Sequence, residues 1–214
     1  SISFANNRAI YLSSRGSRLV GIDIVNVERV RVVVYRVYEN NVLHLLRSAR
    51  RYSWDEETDS EVVGPNYGFD WMDFEHYADT VSTRVYDVAT LGISPNGKAM
   101  LNLDVRQHAR HKGVYVVRCE SMDNQWLSAS KLIAISDVGL IAKEGRNELT
   151  IMAHSLQTAQ PLANVSLALY STNNQLVETL TTDRSGMAHI TNLRAMLGKF
   201  SLGMVTAQHE GELT

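Results

Sequence analysis

The chain has 214 residues, of which 44% are hydrophobic and 21% charged, with a formal net charge of −2. That length suits one large domain or two small ones, each able to bury a core, and the composition excludes a disordered polymer. The charge gives no general reason to expect nucleic acid or an anionic membrane as partner. No apolar run approaches the ~20 residues of a spanning helix. The opening "SISFANNRAIYLSS" has no apolar core behind a basic start. The expectation is a cytoplasmic protein, or an excised piece of a larger exported one. Cys119 is the one cysteine, so no internal disulfide can form and packing must hold the fold.

In chain order the texture is β. "RLVGIDIVNVERVRVVVYRVYENNVLHLL" (18–46) is rich in Val, Ile, Leu and Tyr and is broken at "NVER" and "YENN". Within it Arg31, Val33, Tyr35 and Val37 alternate with Val32, Val34, Arg36 and Tyr38, which predicts a sandwich strand. A last strand is expected to end near Leu46. From Asp55 to Asp79 there are nine acidic residues and no Lys or Arg; the rest of the chain, 21 basic against 14 acidic residues, would carry +7. This stretch reads as an insertion between two strands, with a helical turn or two in "WMDFEHYAD". Strands follow at 82–91, 97–105 and 113–121, then "WLSASKLIAI" (126–135).

A domain boundary is placed at Ile135, Ser136 and Asp137. The second half then reads as strand, turn at Glu144 and Gly145, strand; strand, turn at Asn173 and Asn174, strand; and two further strands. The predicted fold is all-β: two tandem antiparallel β-sandwiches, at 1–135 and 136–214, the first with an acidic, partly helical insertion at about 50–80.

Candidate chemistry is thin. His108 and His111 in "QHARHKG" stand at i and i+3, a spacing that could bind a transition metal, but no third ligand is near and a solvated turn is the expected reading. "DEETDSE" offers carboxylates to a hard cation such as Ca²⁺ but lacks the spacing and central Gly of a calcium loop. Cys119 falls in a strand with Tyr115 and Val117 on its face and is expected to act as a small buried hydrophobe. In "TTDRSGMAHI" (181–190) Ser185 and His189 suggest a nucleophile and base, yet no Gly-x-Ser-x-Gly frames the serine. A β-turn is expected instead, with Asp183 bonding backbone N–H groups and Gly186 at φ > 0. No catalytic residue, metal site or cofactor is assigned.

The candidate interaction surface is the insertion: Trp54, Asp55, Glu56, Glu57, Asp59, Tyr67, Phe69, Trp71 and Phe74, aromatic residues for an interface core and carboxylates for a rim. A weaker alternative has Trp71 and Tyr67 stacking on sugars.

Residues 135–190 carry a recognisable order of motifs. Ser136, Asp137, Val138, Gly139 and Leu140 open it. Thr158, Pro161, Leu162 and Val165 follow, then Thr181, Thr182, Asp183, Gly186 and Ala188. This block resembles a macroglobulin-like domain of the bacterial alpha-2-macroglobulin family, and "NVERVRVVVYRV" (26–37) with "HKGVYVV" (111–117) resembles the preceding domain and the join. The resemblance implies a non-enzymatic scaffold segment of a periplasmic protease trap, often a lipoprotein. Its partners would be neighbouring macroglobulin domains and, through the whole protein, proteases. Some such proteins carry a thioester in a C-x-E-Q motif; here Cys119 is followed by Glu120, Ser121 and Met122, so none can form in this stretch. The alternative function is a module that docks a periplasmic protein through the acidic, aromatic insertion.

Overall fold

A computed structural model describes residues 1–6, 10–12, 18–48, 50–55, 60–67, 72–93, 97–109, 111–124, 126–210 and 212–213, with residues 50–55 and 60–67 described by their backbone. Two compact units result. One comprises Ser1–Ile10, Arg18–Arg110 and Tyr115–Ile133; the other comprises Tyr11–Ser17, His111–Val114 and Ala134–Thr214.

The first unit is built mainly from β1 (Ile2–Phe4), β2 (Ile10–Leu12), β3 (Leu19–Ile24), β4 (Arg29–Val37), helix α1 (Glu39–Ser48) and the strand pair β5 (Arg50–Asp55) and β6 (Ser60–Tyr67). It continues through β7 (Ala78–Asp87), β8 (Gly92–Ile93), β9 (Ala99–Asp104), β10 (Gly113–Ser121) and β11 (Ser128–Ile135). One sheet has the order β1-β3-β9-β8, the other β2-β11-β10-β4-β7. β3 alternates as a half-buried strand must, with Val20, Ile22 and Ile24 buried. β10 does not alternate. Val114, Tyr115, Val116, Val117 and Cys119 are all buried, because the strand sits between β11 and β4 with both faces covered.

The stretch at 41–46 is a helix, not the expected strand. Val42, Leu43 and Leu45 are buried in α1. Their spacing, with Leu46, fits one face of a helix better than alternation. The acidic insertion contains a hairpin, with Tyr52 opposite Val63 and Asp55 opposite Ser60. The helix of this region precedes the insertion. Of the expected helical stretch, residues 74–78 make one turn, in which the N–H groups of Tyr77 and Ala78 both donate to the Phe74 carbonyl at 2.9 Å. The strand expected at 82–91 begins earlier, at Ala78, and stops at Asp87. There the Asp87 side chain accepts from the Ala89 N–H and starts a single 3-10 turn.

The second unit holds β12 (Val138–Glu144), β13 (Glu148–Ser155), β14 (Ser166–Ser171), β15 (Leu176–Thr181), β16 (Met187–Thr191), helix α2 (Leu193–Leu197), β17 (Leu202–His209) and β18 (Glu212–Leu213). The sheets are β12-β13-β16 and β15-β14-β17-β18, with antiparallel pairing throughout among the described residues. Leu149, Ile151, Ala153, Val165, Leu167, Leu169, Ala188 and Ile190 form the core between them. Leu193 and Leu197, four apart on α2, cover one end. Each fully buried Leu or Ile stabilises by ~1.5–3 kcal/mol. A part-exposed ion pair such as Lys112 with Asp137, at 3.2 Å, contributes at most about 1 kcal/mol. Packing therefore decides the stability of this unit.

Candidate functional site

The insertion leaves the first unit on a fixed stem. Met72 and Phe74 are buried, and the Phe74 ring lies 5.0 Å from the Tyr35 ring in a tilted contact. The Arg118 guanidinium holds the chain next to them. Its Nη1 donates to the Met72 carbonyl at 2.9 Å, and its Nε donates to Glu120 at 3.1 Å. Glu120 is also paired with Arg31, so one carboxylate joins two arginines across neighbouring strands. Further along, Asn41 of α1 donates to the Tyr77 carbonyl at 3.1 Å. Tyr38 donates to the Asp79 carboxylate at 2.6 Å.

Of the nine residues expected to make a surface, Phe74 is the one whose side chain is described. Phe74 is 1% exposed and belongs to the core. The reason is that β4 has apolar side chains on both faces, and the face carrying Val33, Tyr35 and Val37 needs a cover. Trp54, Asp55 and Tyr67 lie on β5 and β6, where the backbone alone is described. Glu56, Glu57, Asp59, Phe69 and Trp71 lie outside the described residues. Sequence reasoning missed Arg118 as the stem's anchor. It also placed Trp126 in a strand, whereas it stands 97% exposed in the turn between β10 and β11. There its N–H donates to Asn124 at 3.1 Å.

The other candidates are structural. His108 is not solvated: it is 5% exposed, with Nδ1 2.8 Å from Ser82 Oγ and Nε2 3.4 Å from Tyr86 OH, while His111 is exposed. No cluster of three metal-binding side chains occurs among the described residues. Burial pushes the His108 pKa below 6.5; nearby Arg84 adds to this and Asp104 opposes it. Both states are neutral above pH 6.5, so stability is complete there. Below that value the unfolded chain takes up the proton first. The first unit is therefore expected to lose stability progressively as pH falls below 6.5. Denaturant titrations from pH 8 to 5 check this, and His108→Gln should flatten the profile.

Cys119 is buried, and burial pushes its thiol up to about 12, with Glu120 adding to the effect. Iodoacetamide at pH 8 should leave it unmodified in the folded protein and label it fully in denaturant, as intact-mass measurement would show.

In "TTDRSGMAHI" the geometry is that of a turn. Asp183 accepts from the Ser185 N–H at 2.8 Å, the Ser185 hydroxyl at 2.6 Å and the Met187 N–H at 3.0 Å. Gly186 has φ +74°. Ser185 is engaged with Asp183, and His189 pairs with Thr150 at 3.0 Å, so serine and histidine serve different contacts. Thr182 is buried. Its hydroxyl donates to the Leu162 carbonyl at 2.7 Å and accepts from the Val165 N–H at 2.9 Å. The two motif segments around Pro161 and Asp183 therefore meet as one joint. At the start of the unit, Ser136 Oγ accepts from the Val138 N–H, and the Asp137 carbonyl accepts from the Leu156 N–H.

The antiparallel β-sheets of the two units match the fold of macroglobulin-like β-sandwich domains. Residues 135–214 match the model of the bacterial alpha-2-macroglobulin MG3 domain. Among curated proteins none matches. The chain is similar in fold to native Escherichia coli alpha-2-macroglobulin spanning domains NIE-MG1, with TM-score 0.67, 19% identity, and coverage of 100% of this chain and 94% of that one. A crystal structure spanning MG0-NIE-MG1 gives TM-score 0.66 and 19% identity; this chain is covered in full and spans 62% of that one. Trypsin-activated alpha-2-macroglobulin from the same organism gives TM-score 0.68 and 20% identity, with this chain covered in full and 13% of that chain matched.

Proposed function

We propose that this chain is a scaffold segment of a bacterial alpha-2-macroglobulin that inhibits proteases, with residues 1–135 and 136–214 as its two domains. The observation that carries the reading is the family match over residues 135–214, on a chain whose whole fold follows the same proteins. Its work is mechanical: packed sandwiches fix the spacing of parts that are cut and rearranged elsewhere in the larger molecule. It catalyses nothing, and its partners are neighbouring macroglobulin domains of the same polypeptide. The compartment is the periplasm, and the larger protein is membrane-anchored.

The purified chain, incubated with trypsin and a macromolecular substrate, should neither cleave the substrate nor slow the protease. Inhibition by the chain alone would place reactive parts within these residues and overturn the scaffold reading. A second reading, a docking module for a periplasmic protein, is favoured by the anchored stem beneath the hairpin. Arg118, Asn41 and Tyr38 hold its return leg at three points. A deletion that tests this must keep residues 72–79, which are part of the core. Removal of residues 56–71 that leaves binding to a basic periplasmic protein unchanged would eliminate the docking role.

A further inference from the structure

The inner face of β7 is polar. Ser82, Arg84 and Tyr86 stand opposite Val34, Val32 and Val30 of β4, three fully buried core residues. All three polar residues meet one short segment of the opposing sheet, the 3-10 turn Val105–Gln107 and its cap His108, which follow β9. Arg84 Nη1 donates to Gln107 Oε1 at 2.9 Å. The His108 ring lies 2.8 Å from the Ser82 hydroxyl and 3.4 Å from that of Tyr86. Side-chain bonds thus tie the two sheets of the first unit along this rim, with the imidazole between two hydroxyls.

A proton on that ring is poorly compensated. Both hydroxyls can accept from an imidazolium, so the bonds themselves tolerate it. The added charge is the problem, because the ring is buried and faces the Arg84 guanidinium. Asp104 is the acidic group near it, but that carboxylate already accepts from Arg106 Nε at 2.9 and 3.1 Å and from Nη2 at 2.7 Å, and Arg18 attracts it too. Water is close: Arg106 and Gln107 are exposed. Two main-chain bonds hold the turn, from the His108 and Ala109 N–H groups to the Val105 carbonyl. The smallest movement that hydrates the charge is therefore local. Residues 106–109 swing outward, Val105 stays in the core and β7 stays paired with β4.

We propose that His108 is an acid-released latch between the two sheets of the first unit: neutral, it bridges β7 to the turn after β9; protonated, it leaves the rim with residues 106–109 and uncovers Ala109 and the inner face of β7. The ladders of both sheets persist in the open form, which separates this step from acid unfolding. With the open form alone taking up the proton, at the ordinary histidine value of about 6.5, the opening constant grows as 1 + 10^(6.5 − pH), about thirtyfold at pH 5.

Amide exchange at pH 7.5 and pH 5, corrected for the intrinsic rate, tests this. Protection at His108 and Ala109 should fall by about tenfold or more at the lower pH. Exchange at these two amides should also be insensitive to urea from 0 to 1 M, since a local opening exposes little surface, whereas exchange at Leu101 and Leu103 of β9 should rise with urea. An unchanged protection at His108 and Ala109 overturns the proposal. So does a urea sensitivity equal to that of Leu101 and Leu103, which would make the event global unfolding. His108→Gln should abolish the pH response, and Arg84→Gln, which removes the facing cation, should reduce it. A response that persists undiminished in His108→Gln, or in Arg84→Gln where the former does not fold, also overturns the latch.

Discussion

Gly186→Val is expected to unfold the second unit or come close to it. Two independent costs act at this position. The backbone sits at φ +74°, a region that β-branched residues avoid, at a cost of about 1–3 kcal/mol. A Cβ built there would stand 2.6 Å from the Ala153 carbonyl oxygen, 2.9 Å from Pro161 Cβ and 3.0 Å from the Leu162 nitrogen. Two of those neighbours are backbone, and relieving the overlap adds roughly 1–3 kcal/mol more. Moving them also disturbs the bond from the Leu162 N–H to the Ala153 carbonyl and that from the Ala153 N–H to the Gly186 carbonyl. The total, about 2–6 kcal/mol, is a large fraction of a small domain's stability. Gly198→Val separates the two causes: φ is +60° there, but nothing lies within 4 Å of the added Cβ. Urea denaturation should show Gly198→Val losing the strain cost alone. Equal losses for the two variants would mean that the close approach at Gly186 contributes nothing.

Phe74→Ala is expected to destabilise the first unit by about 3–5 kcal/mol. The ring is 1% exposed and contacts Tyr35, so truncation leaves a cavity beneath the stem of the insertion. The same experiment settles what the residue is for. A core residue loses stability on truncation and alters association only through unfolding. A surface anchor loses association and keeps its melting temperature. Thermal unfolding together with a folded-state binding measurement gives the answer, and a stable variant with weakened association would contradict the burial argument.

Much of the architecture was legible locally. Alternation in "GKAMLNLDV" marked β9, where Leu101 and Leu103 are buried and Asn102 exposed. Turn chemistry at Gly145, Asn174 and Asp183 marked three of the connections in the second unit, since each depends on a few adjacent residues. α1 was misread because short apolar runs fit strand and helix alike until burial selects a face. His108 was misread because its neighbours, Ser82 and Tyr86, are brought to it by β7, more than twenty residues earlier. Arg118 gave no signal at all: nothing in "VVRCES" shows that its guanidinium reaches the carbonyl of Met72.

The amino-acid sequence by itself determined the β texture, the turns and the motif series within the residues that match a macroglobulin domain. Each of these depends on side-chain periodicity or on backbone preferences within a few residues. Tertiary structure alone decided which side of each strand was covered. It joined the segments around Pro161 and Asp183 through the Thr182 hydroxyl and put Phe74 in the core. These outcomes are set by contacts between residues far apart in the chain, where loop closure and close packing, not local preference, choose the partner.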